Sequence, residues 1–173
     1  MVNTLEPYVP SPDKPWDLRR VQHLYQRLGY GTRLADLNLD RSPSELVDYL
    51  LDSVQELPPP EVPYWAEWTD EDYPDDDGDT FFTVKGEFFR RWLAEAADPA
   101  LSIRNKLALF WHNHFVTEEE VYYCNSYMWS YYELLHRFAL GNFRTFVEEM
   151  GKNPAMLIYL NGNRNVADEP NEN

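Results

Sequence analysis

The sequence has 173 residues, of which 43% are hydrophobic and 16% aromatic, so it can bury enough apolar surface for one folded domain and a disordered chain is excluded. Thirty acidic against fifteen basic residues give a formal net charge of -15, which repels phosphate backbones, and we expect no nucleic-acid partner. The single cysteine, Cys124, excludes an intramolecular disulfide.

The sequence contains neither a recognisable signal peptide nor a transmembrane segment. The stretch from Met1 to Trp16 carries prolines and acids where a signal peptide needs a basic start and an apolar core. No apolar run approaches the roughly 20 residues of a transmembrane helix. We therefore expect a cytoplasmic protein without membrane insertion, exported only if a leader was removed before Met1.

Helical periodicity dominates the chain, and it predicts an all-α, irregular bundle of about six helices. Glycine is scarce, with seven residues, and alternating β-branched runs are missing, which argues against sheets.

Four prolines predict an extended N-terminal arm over residues 1–15, and residues 16–173 are expected to form a single helical domain. The first helix begins near Leu18 and is expected to end in a left-handed cap at Gly29 and Gly31. His23 lies off its apolar stripe, which predicts a solvated histidine.

The second helix, over residues 43–53, is predicted by the capping box that runs from Ser42 to Glu45. Residues 54–80 then lose periodicity among prolines and aspartates, which predicts a long acidic, Pro-rich surface loop that Trp65 and Trp68 pin to the body. The loop does not fit a calcium-binding EF-hand: with Gly78 at the sixth position, Tyr73 and Val84 occupy the positions of carboxylate ligands.

Helical spacing resumes after the loop and predicts the remaining helices. One runs from Phe81 to about Ala97, with Phe89 and Leu93 on its inner side. Asp98 and Pro99 are expected to begin the next helix, which runs to about Val116. Thr117 is expected to begin a long helix to about Leu140, on which His136 lies with Trp129 as a packed or half-exposed residue. Asn142 and Asn153 cap two short helices, and residues 161–173 form an Asn-rich tail.

The most apolar run, Leu107 to Thr117, contains His112, Asn113 and His114. Leu107, Phe110, Trp111 and His114 follow helical spacing, so His114 is expected on the main core stripe, with His112 about 200° round the helix. Because buried polar groups need partners, these residues belong either to a buried hydrogen-bond network or to a site.

Several ordered motifs resemble a bacterial family known as domain of unknown function 1800. The motifs are Phe110 to Phe115, Ala139 to Phe143, Asn153 to Leu160, and Pro170 to Asn173, with Arg27 to Gly31 as an N-terminal signature. The resemblance implies a longer protein in which a helix rich in Ala, Arg, Glu and Leu follows Pro-Asn-Glu-Asn. This chain is then a truncated N-terminal portion, and its expected partner is the missing C-terminal part of the same protein. The family brings no established activity.

The histidines leave three interpretations open: a buried structural network, metal-free catalysis, or a metal site. One regular helix presents two histidines to one ion at i, i+4 and not at i, i+2, so we expect no metal and no cofactor unless the helix unwinds near His114.

Two functions follow. The first is a structural or interaction module centred on a buried His/Asn network. The alternative is a hydrolase-like enzyme, with or without a metal, whose catalytic residues are His112, His114 and Glu172. The binding residues expected beside them are Trp111, Asn113, Asn171 and Asn173. The sequence leaves the oligomeric state open.

Overall fold

The computed structural model describes residues 6–74 and 78–168. In this part of the chain there is no β-strand, and three short 3-10 turns accompany eight α-helices. The predicted all-α fold is confirmed, although with eight helices where about six were expected. The helices are α1 (Leu18–Leu28), α2 (Pro43–Gln55), α3 (Asp79–Ala97), α4 (Ser102–His114), α5 (Glu119–Tyr122), α6 (Asn125–Arg137), α7 (Phe143–Met150) and α8 (Pro154–Tyr159).

Local capping signals place the starts of three helices correctly. Ser42 Oγ accepts a hydrogen bond from the Glu45 amide, and the Glu45 carboxylate accepts one from the Ser42 amide at 2.9 Å, which completes the predicted capping box of α2. The Asn142 side chain accepts from the Thr145 amide at the start of α7. Asn153 accepts from the Ala155 amide at the start of α8. Each cap satisfies an amide that the first helical turn leaves without a partner.

The predicted start of the fourth helix at Pro99 is wrong. Asp98 Oδ1 accepts from the Ala100 amide at 2.9 Å, and this closes a turn before α4, which begins at Ser102. The aspartate therefore caps a local turn and not a helix, because short polar side chains can bond nearby amides in non-helical conformations.

The predicted continuous helix from Thr117 to Leu140 is also wrong, because the chain breaks between α5 and α6. Tyr123 adopts φ 45°, which no α-helix contains. The fully buried Asn125 then begins α6, donating to the Tyr73 hydroxyl at 2.9 Å and to the Phe81 carbonyl at 3.2 Å. These two bonds fix the start of α6 against Tyr73 and against the beginning of α3.

The end of α1 corrects the predicted left-handed cap at Gly29. Gly29 has φ -127°, and the positive φ of 110° belongs to Gly31. Gly29 is required for a different reason: a Cβ there would lie 2.7 Å from Ser102 Oγ and 3.3 Å from Ile103 Cγ1. The missing side chain lets the end of α1 approach the start of α4.

Helix α6 is the centre of the fold, with eight of its thirteen residues buried. Among the described residues it contributes to two of three apolar core clusters, and α4 contributes Ala108 to one of these and Ile103 to the third. The pair α4 and α6 therefore connects all three clusters. The first contains Ala108, Tyr131, Leu134, Leu135, Phe146, Met150, Ala155 and Met156; the second Trp65, Val84, Phe88, Met128, Trp129 and Tyr132; the third Val21, Leu46, Leu50, Val54 and Ile103.

Helix α3 buries a narrower face than its sequence predicts. Val84 and Phe88 are buried, whereas Phe89 is 43% and Leu93 is 72% exposed, so their predicted inner position is wrong. Trp65 is buried and meets the Phe88 ring edge-on at 5.9 Å. The acidic loop as a whole and the division into arm and domain stay predictions, since residues 1–5 and 75–77 lie outside the described residues. Within residues 6–74 and 78–168, no helix combines the length and apolar character needed to span a membrane.

Candidate functional site

Helix α4 turns a different face to the core from the one its sequence predicts. Its buried residues include Arg104, Asn105 and Ala108. Arg104 and Ala108 share with His112 a face at i, i+4 and i+8. Phe110 is 59% exposed and His114 is exposed. The prediction that His114 lies on the core stripe is therefore wrong. The fully buried Ala108 offers the small side chain against which α6 packs.

His112 anchors a hydrogen-bond network between α4 and α6. Its Nδ1 lies 2.7 Å from the Tyr131 hydroxyl, which donates to the Phe115 carbonyl, also at 2.7 Å. A phenol carries one hydrogen, and here the carbonyl takes it, so His112 Nδ1 must carry the proton and donate to Tyr131. In its neutral form the imidazole is then the Nδ1–H tautomer, with its lone pair on Nε2.

Burial keeps this network neutral. It lowers the pKa of His112 and raises the pKa values of Tyr122 and Tyr131, that of Tyr122 to about 12, against an opposing hydrogen bond from Thr117. The His112 ring meets Trp92 of α3 edge-on at 6.0 Å and Tyr131 of α6 at 5.8 Å. The network therefore joins α3, α4 and α6.

An aromatic face lies on the outer side of the same helix. We define it by the rings of Phe110, Trp111, His114, Phe115 and Phe143. Trp111 is the centre, with Phe110 at 5.0 Å, Phe143 stacked at 5.5 Å and His114 at 6.2 Å. His114 also meets Phe115 edge-on at 4.7 Å. Phe143 is 53% exposed, close to the 59% of Phe110.

The predicted site residues are only partly assembled. His112 and His114 contact different rings on different sides of α4, and Asn113 is exposed. Trp111 is half-buried and donates from Nε1 to the Ala139 carbonyl at 3.2 Å. In residues 6–74 and 78–168, no three metal-binding side chains come together. Glu172, Asn171 and Asn173 lie outside the described residues.

A second polar cluster, which the sequence did not reveal, lies at the other end of the α4 core face. Arg104 and His136 are 6% and 3% exposed, and neither Arg104 Nε nor either His136 ring nitrogen has a hydrogen-bond partner. Burial, and then the charges of Arg104 and Arg91, lower the pKa of His136 to about 3. The predicted packing of His136 is confirmed. The i, i+4, i+8 series of Arg104, Ala108 and His112 is the sequence signal that could have found Arg104.

The eight helices, the neutral histidine network and the exposed aromatic face define an all-α domain with a polar centre. The family model described as "Protein of unknown function (DUF1800)" matches residues 23–173, a range that begins within α1 and includes every later helix. The chain belongs to this family, as its motifs predicted. No curated protein and no solved structure matches the chain.

Proposed function

We propose that this chain is an interaction module whose aromatic face receives a helix. The observation that carries the proposal is the exposure of Phe110 and Phe143 on either side of Trp111. Single exposed apolar residues are common, but rings in mutual contact form a continuous apolar patch. Aromatic residues at the centre of such a patch are the side chains that most often dominate binding energy.

The His112 network supports this surface from below. Phe115 belongs to the aromatic face, and its carbonyl accepts a hydrogen bond from the Tyr131 hydroxyl. Trp111 is likewise fixed by its bond to the Ala139 carbonyl. The network then has a structural role, because it fixes the backbone that presents the rings before a partner binds, and this lowers the entropy cost of association.

The occupant that fits best is an amphipathic helix with basic residues beside its apolar stripe. Aromatic grooves bind helices through apolar side chains at i, i+3, i+4 and i+7, and a net charge of -15 attracts a basic flank. The resemblance implies a helix rich in Ala, Arg, Glu and Leu after Pro-Asn-Glu-Asn in longer family members. We propose that this C-terminal helix covers the aromatic face.

The test uses the region that follows Pro-Asn-Glu-Asn in a longer family member, added in trans and measured by isothermal titration calorimetry. We expect binding, and Phe110→Ser and Phe143→Ser should each weaken it about tenfold or more, the effect of an interface hot spot. Phe82→Ser is the matched control, since Phe82 is 57% exposed on α3, and it should leave the affinity unchanged.

Two outcomes contradict the proposal. One is equal affinity in all three variants. The other is a concentration-dependent dimer of the chain alone that Phe143→Ser abolishes, because it would assign the aromatic face to a second copy.

A hydrolase-like enzyme is the second candidate, supported by the neutral His112 with its Nδ1 fixed by Tyr131, the orientation that a general base requires. The proposal keeps His112, His114 and Glu172 as catalytic residues. Hydrolysis of p-nitrophenyl butyrate should then be lost in His112→Gln. Equal rates in wild type and His112→Gln would reject it.

A further inference from the structure

A cavity of about 340 Å³ lies where the end of α2 and the proline segment after it meet α4 and α6. Its volume falls within the roughly 300–1,000 Å³ typical of small-molecule sites. It shares no lining residue with the aromatic face, although Ala139, which lines it, accepts the Trp111 hydrogen bond through its carbonyl. Most of its wall is apolar, formed by Val54, Leu57, Pro59, Pro60, Ala139 and Leu140.

The polar part of the wall is formed by Arg104 and His136, with Gln55, Glu133 and Arg137. Arg104 donates one bond, to the Pro58 carbonyl, and its Nε has no partner. Both ring nitrogens of His136 are also without partners. Buried polar atoms are almost always satisfied, so three unpaired atoms on two residues that line one cavity indicate a ligand that would pair with their donors.

The charges around Arg104 indicate the sign of that ligand. Glu95 is the acid whose charge acts on Arg104, but its carboxylate already binds Arg91 at 2.8 Å and the Tyr132 hydroxyl. Glu133 pairs with Arg137 at 3.6 Å. Arg104 therefore forms no ion pair within the part of the chain that the structure describes, and a buried charge without a counter-ion is costly.

We propose that this cavity binds a small organic acid through its carboxylate, which the Arg104 guanidinium and the His136 imidazole would hold. Because Arg104 Nε and both His136 ring nitrogens are buried in the structure, the two side chains must turn toward the carboxylate to donate to its oxygens. A carboxylate matches the planar guanidinium and supplies the single negative charge that Arg104 lacks. The apolar wall then receives the aliphatic body of the acid. An inorganic phosphate would leave that wall uncovered.

The experiment follows the His136 imidazole by NMR while sodium 3-methylbutanoate is added to the intact chain. The His136 signal is assigned as the one that His136→Gln removes. We expect it to shift and saturate with the acid, and to remain in place with 3-methylbutanamide, which has the same shape without the charge. A second series, with N-acetyl-glycyl-leucine and its C-terminal amide, distinguishes a free acid from a peptide C-terminus as the source of the carboxylate.

Two variants separate the site from the fold. Arg104→Gln removes the charge and should weaken binding of 3-methylbutanoate by about tenfold or more, the value of a charge-assisted bond. Leu140→Trp leaves Arg104 unchanged and fills the cavity from the wall. Its matched control is Leu109→Trp, since the two leucines are 36% and 38% exposed and only Leu140 lines the cavity.

Loss of saturation in Leu140→Trp with retention in Leu109→Trp supports the proposal. It is overturned if the amide shifts His136 as the acid does, or if Leu140→Trp binds like wild type. Neither result depends on the aromatic face.

Discussion

Removing the Tyr131 hydroxyl is the most direct test of the His112 network. The change Tyr131→Phe keeps the ring, which is 4% exposed in the core, and deletes the oxygen that lies 2.7 Å from both His112 Nδ1 and the Phe115 carbonyl. Each lost bond contributes about 1 kcal/mol, and the groups left unpaired add a similar cost, so we expect the free energy of unfolding to fall by about 2–4 kcal/mol.

Urea unfolding followed by circular dichroism measures this change, with Tyr127→Phe as control. Tyr127 lies one turn earlier on α6 and is half-buried, outside the network, so its variant should remain within about 0.5 kcal/mol of wild type. A double-mutant cycle with His112→Leu should give a coupling of about 0.5–3 kcal/mol between the two side chains. A loss below about 0.5 kcal/mol in Tyr131→Phe, or zero coupling, would refute the network.

Three further predictions concern other parts of the fold. Because His114 is exposed, His114→Ala should change the free energy of unfolding by less than about 0.5 kcal/mol. A loss above about 1 kcal/mol in urea titration would show that the His114 side chain is buried. The pKa of His136 is lowered to about 3, so its contribution to stability is complete above the unfolded value of about 6.5 and is lost as the pH falls towards 3. Between pH 7.5 and 5 this loss is about 2 kcal/mol, and His136→Gln should abolish that part of the pH dependence of the free energy of unfolding. Equal profiles of unfolding free energy against pH in wild type and His136→Gln would contradict this prediction. Gly29→Ala should lower the free energy of unfolding by about 1–3 kcal/mol through the contact with Ser102, and Gly29→Ala/Ser102→Ala should recover part of this loss. Gly86→Ala is the control, because a Cβ there meets nothing within 4 Å, and it should stabilise α3 by about 0.5–1 kcal/mol. Similar melting temperatures for the two single alanine variants would contradict this.

The sequence predicted those features that depend on a few neighbouring residues. The capping box at Ser42 and the asparagine caps at Asn142 and Asn153 are local bonds between a side chain and an amide three or fewer residues away. They identify helix starts without knowledge of the tertiary fold. The family was predicted in the same way, from short motifs in a fixed order.

Two of the features that failed depend on distant partners. Helix α4 carries apolar residues on both sides, so periodicity could not decide whether the face of His114 or the face of Ala108 would meet α6; the packing of α6 decides it. The break at Tyr123 follows from the bonds of Asn125 to Tyr73 and Phe81, which are 52 and 44 residues away in sequence. No local pattern encodes such pairs.

The burial of Trp65 has a consequence for how the chain responds to cleavage. A protease that cuts between Trp65 and α3 would place this side chain on one fragment and its ring partners, Phe88 at 5.9 Å and Trp129 at 6.3 Å, on the other. The indole would keep the two pieces together, because exposing it would uncover the cluster around Trp129. Nicked protein should therefore co-elute as a single species and separate only in denaturant.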